Sequence, residues 1–65
     1  MTISTREAIK IARDTAKEAG YDAAVTDSTY DDEEDYYEVE LEDGDTVITV
    51  TVDGKSGNVI DFTTE

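Results

Sequence analysis

Four of the five basic residues, Arg6, Lys10, Arg13 and Lys17, are spaced four, three and four apart, which on a helix places them along one stripe. Such a stripe can meet neighbouring acids such as Glu7 and Asp14, or the rim of a sheet, or it can dock an acidic partner or a peptide carboxylate. Tyr30, Tyr36 and Tyr37 stand around the acidic run Asp31–Asp35, and aromatic rings beside charge suit protein recognition. At strand spacing Tyr37 belongs to the core, and Tyr36, on the opposite face, is the better contact residue. Glu38 and Glu40 are two carboxylates on one strand face, where nothing in the sequence builds the enclosing pocket that acid–base work needs. Gly54-Lys55-Ser56 resembles the end of a phosphate-binding loop, but the first glycine of that motif would fall at Thr49, so a turn is expected.

The chain holds no His and no Cys, which removes the Ser-His, Cys-His and His-metal arrangements together. Asp43, Asp45, Asp53 and the Asp31–Asp35 run offer oxygen ligands for hard cations, but their spacing matches no calcium loop, and diffuse counterion binding is expected. No catalytic residue, no cofactor and no discrete metal site is therefore expected. Eighteen acidic residues against five basic ones give a net charge of −13, which repels nucleic-acid phosphates and anionic lipids. That charge also opposes compaction, so added salt is expected to strengthen folding.

These groups must be positioned by a short chain. Sixty-five residues make one domain near the lower limit for folding without disulfides or metal. With a single Leu, Met and Phe, nearly every large side chain is expected inside, for a stability of a few kcal/mol, near the low end of the roughly 5–15 usual for domains. Ser4 and Glu7 form a capping box, and Ala8, Ile9, Ala12, Ala16 and Ala19 recur at helical spacing with Ile11 on the flank. Gly20 stands where a left-handed C-cap is wanted, so a helix is expected over about 5–19. The alanines allow close approach to a sheet, and Ile9 and Ile11 are expected to supply most of the helix's buried area.

A short edge strand is expected over about 23–29, then an exposed, mobile connection through Asp31–Asp35. Tyr37, Val39 and Leu41 alternate with Glu38, Glu40 and Glu42, which predicts a half-buried strand over 36–42. Asp43-Gly44 supplies a turn, 46–52 a strand with Ile48, Val50 and Val52 on one face, 53–57 a second turn, and 58–63 a last strand carrying Val59, Ile60 and Phe62. The expected fold is α+β: one N-terminal helix on one face of a three- to four-stranded antiparallel meander, with the glutamate row in water.

That pattern resembles the PepSY family, small domains of peptidase propeptides and cell-envelope proteins. The resemblance lies in Ile3-Ser4-Thr5-Arg6-Glu7-Ala8-Ile9-Lys10-Ile11-Ala12, in Tyr36-Tyr37-Glu38-Val39-Glu40-Leu41, and in the Val50–Ile60 hairpin with Val52-Asp53-Gly54-Lys55-Ser56-Gly57-Asn58-Val59 at its centre. It implies a non-catalytic module that binds or inhibits a peptidase, or modulates a neighbouring domain. Tyr30, Tyr36, Glu38, Glu40 and the stripe Arg6, Lys10, Arg13 and Lys17 are the candidate partner-binding residues. The expected state is monomer or weak dimer, with no nucleic acid bound and no membrane insertion.

Two other readings stand beside it. One is a stand-alone acidic scaffold, salt-adapted or designed, with no specific ligand; the other is an acidic mimic that presents Glu38, Glu40 and Glu42 to a basic nucleic-acid-binding surface. The chain shows no signal peptide, which suggests a cytoplasmic setting, whereas the resemblance suggests an extracytoplasmic one.

Overall fold

The computed structural model describes residues 1–65 and contains helix α1 (Thr5–Glu18) and strands β1 (Ala24–Asp31), β2 (Tyr36–Asp43), β3 (Thr46–Asp53) and β4 (Val59–Thr64). The strands form one antiparallel sheet in the order β1-β2-β3-β4, a plain meander, and α1 packs against β1, β2 and β3. This is the α+β architecture the periodicities predict.

Both ends of α1 are capped by the chain's own chemistry. The Ser4 hydroxyl accepts from the Glu7 amide at 3.1 Å while the Glu7 carboxylate accepts from the Ser4 amide at 3.4 Å. At the other end Ala19 is the C-cap and Gly20 takes φ +95°. The Gly20 amide donates to the Lys17 carbonyl and the Tyr21 amide to the Ala16 carbonyl, both at 3.0 Å, which is the double closure of a Schellman motif. The helix thus stops one residue short of the predicted 19, and Ala19 is exposed instead of joining the apolar stripe.

The core is thin, with ten of 65 residues buried. Ala8, Ala12 and Ala16 lie at 0–1 % exposure directly on Val39, Leu41, Ile48, Val50 and Val52, each at 0 %, with Tyr37 at 6 %. Each of those five larger aliphatic side chains contributes roughly 1.5–3 kcal/mol by leaving water. Ile9 and Ile11 are half-buried at the flanks, so the alanines, and not the isoleucines, form the enclosed surface of α1. Residues 8, 12 and 16 repeat every four and project straight down, and 9 and 11 project sideways, where they pack against the margin of the core.

Two bulges set the faces of the outer strands. On β1 the register passes from Val25↔Leu41 to Asp27↔Glu40, leaving Thr26 as the extra residue. Ser28 and Tyr30 therefore share the helix side with Val25, opposite Val39 and Tyr37. On β4 the extra residue is Ile60, between the pairs Thr51↔Asp61 and Val52↔Val59, so Phe62 returns to the helix side. Because α1 does not extend over β4, Val59 is 39 % and Ile60 is 60 % exposed, and Tyr30 at the far edge is 42 % exposed. The expectation that nearly all large side chains are enclosed thus fails at both edges of the sheet.

The acidic run is a hydrogen-bonded turn whose tip, Asp32 to Glu34, is exposed as expected. Asp31 ends β1, and its carboxylate accepts from the Glu33 and Glu34 amides at 2.9 and 3.1 Å. Asp35 closes the turn at φ +56°, its carboxylate accepting from the Tyr30 hydroxyl at 2.7 Å and the Thr2 hydroxyl at 3.2 Å. Gly44, at φ +59°, and Asp45 join β2 to β3, the arrangement of a type II′ hairpin turn. Asp53 organises the last turn, accepting from the Ser56 hydroxyl at 2.6 Å and the Ser56 amide at 3.2 Å.

Candidate functional site

The candidate residues fall into two groups on different sides of the molecule. The first is a groove of about 780 Å3 along α1. Arg6, Lys10, Arg13 and Lys17 all line it, as their helical spacing requires, and Ile9, Tyr21 and Ala23 supply its apolar surface. The opposite wall exists because Gly20 reverses the chain: Tyr21 then packs on Phe62 at a ring-centroid distance of 6.3 Å, and the Asp22 amide donates to the Asp43 carboxylate at 3.1 Å. Nothing in the spacing of the basic residues points to Tyr21 or Ala23; the left-handed glycine was the available signal.

Only one of the four cations is paired. The Lys10 ammonium donates to the Asp14 carboxylate at 2.9 Å, an exposed i,i+4 pair. That hydrogen bond, and then the charge of Lys10, holds the Asp14 carboxyl below its ordinary value. Glu7, the other acid expected to answer the stripe, is engaged in the capping box. Arg6, Arg13 and Lys17 make no side-chain hydrogen bond or ion pair.

The second group lies at one corner of the sheet's outer face, in a shallow depression of about 350 Å3. Tyr36 pairs across the ladder with Asp31, and Glu38 with Thr29, so all four point away from α1. The negative charge of Asp31 pushes the Tyr36 phenol above its ordinary value. Glu40 is further along the same face, where its carboxylate accepts from the Thr26 hydroxyl at 3.1 Å. It stands directly opposite Asp27, a like-charge cross-strand pair.

Tyr30 does not join Tyr36 on that face. Its ring stacks on Tyr37 at 4.7 Å and its hydroxyl donates to Asp35, which raises its own pKa. The Tyr37 hydroxyl in turn donates to the Ile3 carbonyl at 2.8 Å. Tyr30 is thus tied into the framework, with one edge in the depression beside Tyr36.

No group of three or more acidic side chains converges on a point that could hold a metal ion. No helix is long and apolar enough to cross a membrane. Residues 2–63 match the family model described as PepSY, the peptidase propeptide and YPEB domain. No curated protein and no solved structure matches the chain.

Proposed function

The chain belongs to the PepSY family, and on that premise we propose that it is a non-catalytic protein-interaction module that binds and restrains a peptidase, or an adjoining domain, through the outer face of its sheet. The family's description as a peptidase propeptide supports the class of partner. The observation that carries the choice of surface is the corner at Tyr36: an aromatic side chain, half-buried, set among Asp31, Asp32, Glu33 and Glu38 on a sheet face that no helix covers.

A tyrosine fixed by a strand presents a large apolar area at low entropic cost, and its phenol supplies one directional hydrogen bond. The carboxylates around it reject anionic surfaces and steer cationic ones, so the complementary patch on the partner is basic. Thr49 and Thr51, half-buried between the glutamate row and β4, keep the centre of the face flat enough for a second surface to approach.

The test is inhibition. The purified chain is titrated into a panel of peptidases, thermolysin-type metallopeptidases included, with residual activity as readout. Tyr36→Ala is expected to weaken inhibition by about tenfold or more, corresponding to about 1.4 kcal/mol, and Glu38→Lys with Glu40→Lys by a similar factor. Unchanged inhibition in both variants rejects the outer face as the binding surface, and no inhibition of any peptidase rejects the peptidase as the partner and leaves the adjoining domain.

A further inference from the structure

We infer that the groove along α1 is a binding site for an extended acidic peptide segment, separate from the outer sheet face. The charge of the molecule is inverted locally along this groove. In a chain of net charge −13, four of the five cations line one groove, and the two carboxylates beside them are Asp14 and Asp22. Asp14 is already neutralised by Lys10 at 2.9 Å. Arg6, Arg13 and Lys17 make no ion pair although acids outnumber bases eighteen to five: Asp14 pairs directly with Lys10, and Asp22, which lines the same groove, pairs with none of them.

The shape of the groove selects the ligand. Successive helical residues rise by 1.5 Å, so Arg6 and Lys17 are about 16 Å apart along the axis, and the cations form a row and not a cluster. A single phosphate or carboxylate would engage one or two of them. An extended strand advances about 3.3 Å per residue, so a segment of roughly five residues spans the row. Alternation in that strand turns carboxylates toward the cations and intervening side chains toward Ile9, Tyr21 and Ala23, which form the apolar part of the same groove. The occupant is therefore a short segment in which acidic and apolar residues alternate, presented by another protein.

Long-range and local electrostatics make opposite statements about such a ligand, which is what makes the inference testable. The overall charge favours a basic peptide; the groove favours an acidic one. The probes are two dye-labelled hexapeptides, one alternating Asp with Leu and the other Lys with Leu, read by fluorescence anisotropy at about 0.15 M salt, where the Debye length is about 8 Å and the distant charges are screened. The acidic peptide is expected to bind the more tightly. Arg13→Gln with Lys17→Gln is expected to weaken it by roughly tenfold, two exposed pairs being lost, whereas Lys55→Gln, on the β3–β4 turn, changes it less than about twofold. An Asn-Leu peptide tested on the unaltered chain asks the same question without any substitution in the protein, and it is expected to lose the binding. Tighter binding of the basic peptide, equal binding of the Asp and Asn peptides, or equal effects of the groove and Lys55 variants would overturn the inference.

Discussion

Asp35 and Gly54 lock the two turns at one end of the sheet to each other. The Gly54 amide donates to the Asp35 carbonyl at 2.8 Å, and a Cβ on residue 54 would stand 2.7 Å from that same oxygen. Gly54 also accepts from the Ile3 amide at 2.7 Å, so the contact fixes the segment that leads into α1. Gly54 is buried, and its requirement is for space and not for a left-handed backbone. Gly54→Ala is expected to cost roughly 3 kcal/mol, most of the stability of so small a domain, because the new methyl would meet the Asp35 carboxylate, which can swing aside, and also the Asp35 main-chain oxygen, which cannot. Urea denaturation followed by circular dichroism measures this; a loss under about 0.5 kcal/mol would show that the turns yield freely.

Ser28 presents the opposite case, a residue that weakens the fold. The Thr26 bulge turns it to the helix side opposite Val39, where its hydroxyl is enclosed and has no hydrogen-bond partner. An unsatisfied buried hydroxyl carries a desolvation penalty of about 1–3 kcal/mol. Ser28→Ala removes the hydroxyl while keeping the Cβ, and is expected to raise stability by about 1 kcal/mol. A lower denaturation midpoint in the variant would reveal that a water or a neighbouring group satisfies the hydroxyl.

The alanines of α1 set the distance between helix and sheet. Ala12 at 0 % exposure has no room for a longer side chain above β2 and β3. Ala12→Leu is expected to destabilise by about 1–3 kcal/mol through overpacking, even though leucine is a good helix former. Ala19→Leu, at the exposed C-cap, is the control and should stay within about 0.5 kcal/mol. If both variants behave alike, the helix is not held by close approach.

How far the sequence discloses this molecule depends on the range of each signal. The capping box of Ser4 and Glu7, the stop at Gly20, the alternation from Tyr37 to Leu41 and the turn at Gly44 are decided by residues within a few positions of one another, and the structure has each of them. The face of Tyr30 is not decided locally. One extra residue at Thr26 reverses every side chain that follows it, and nothing between Ala24 and Tyr30 announces which residue is extra. The same holds for Ile60 and Phe62. The basic row was visible as a spacing, but the groove needed its second wall, which comes from a chain reversal and a ring contact between Tyr21 and Phe62.

Of the four groups with shifted values, Asp53 and Tyr36 show the sign at the acid and alkaline ends, and Asp14 and Tyr30 shift in the same two directions. Hydrogen bonds from the Ser56 hydroxyl and then the Ser56 amide hold Asp53 below its ordinary 3.8. A lowered folded-state value contributes stability that is fully present above 3.8 and lost as pH falls through the lowered value, so Asp53→Asn should lower stability at neutral pH and flatten the acid limb of the curve below about pH 4. Tyr36 is raised above 10.0 by the charge of Asp31. Its contribution is present below pH 10 and is lost as pH rises through the raised value. Ultraviolet titration should find two phenols ionising late, Tyr30 and Tyr36, and Asp31→Asn should bring one of them back toward 10; an unmoved curve would mean that Asp31 is not the cause.

Salt acts on the whole charge and not on one pair. With a net charge of −13 and like charges facing each other at Asp27 and Glu40, the folded state carries repulsion that the expanded chain relieves. Raising KCl shortens the Debye length from about 30 Å at 0.01 M to about 3 Å at 1 M, which removes that repulsion. The lone Lys10–Asp14 pair, exposed on both sides, loses little in exchange. Thermal unfolding should therefore shift upward with KCl by at least about 1 kcal/mol of stability, a change in Tm of roughly 4–8 °C for a domain of this size. Asp27→Lys, which turns the like pair with Glu40 into an opposite one, should raise Tm at low salt and reduce the slope against KCl. A flat profile in the unaltered chain would mean that its carboxylates are already spaced widely enough for water alone to screen them.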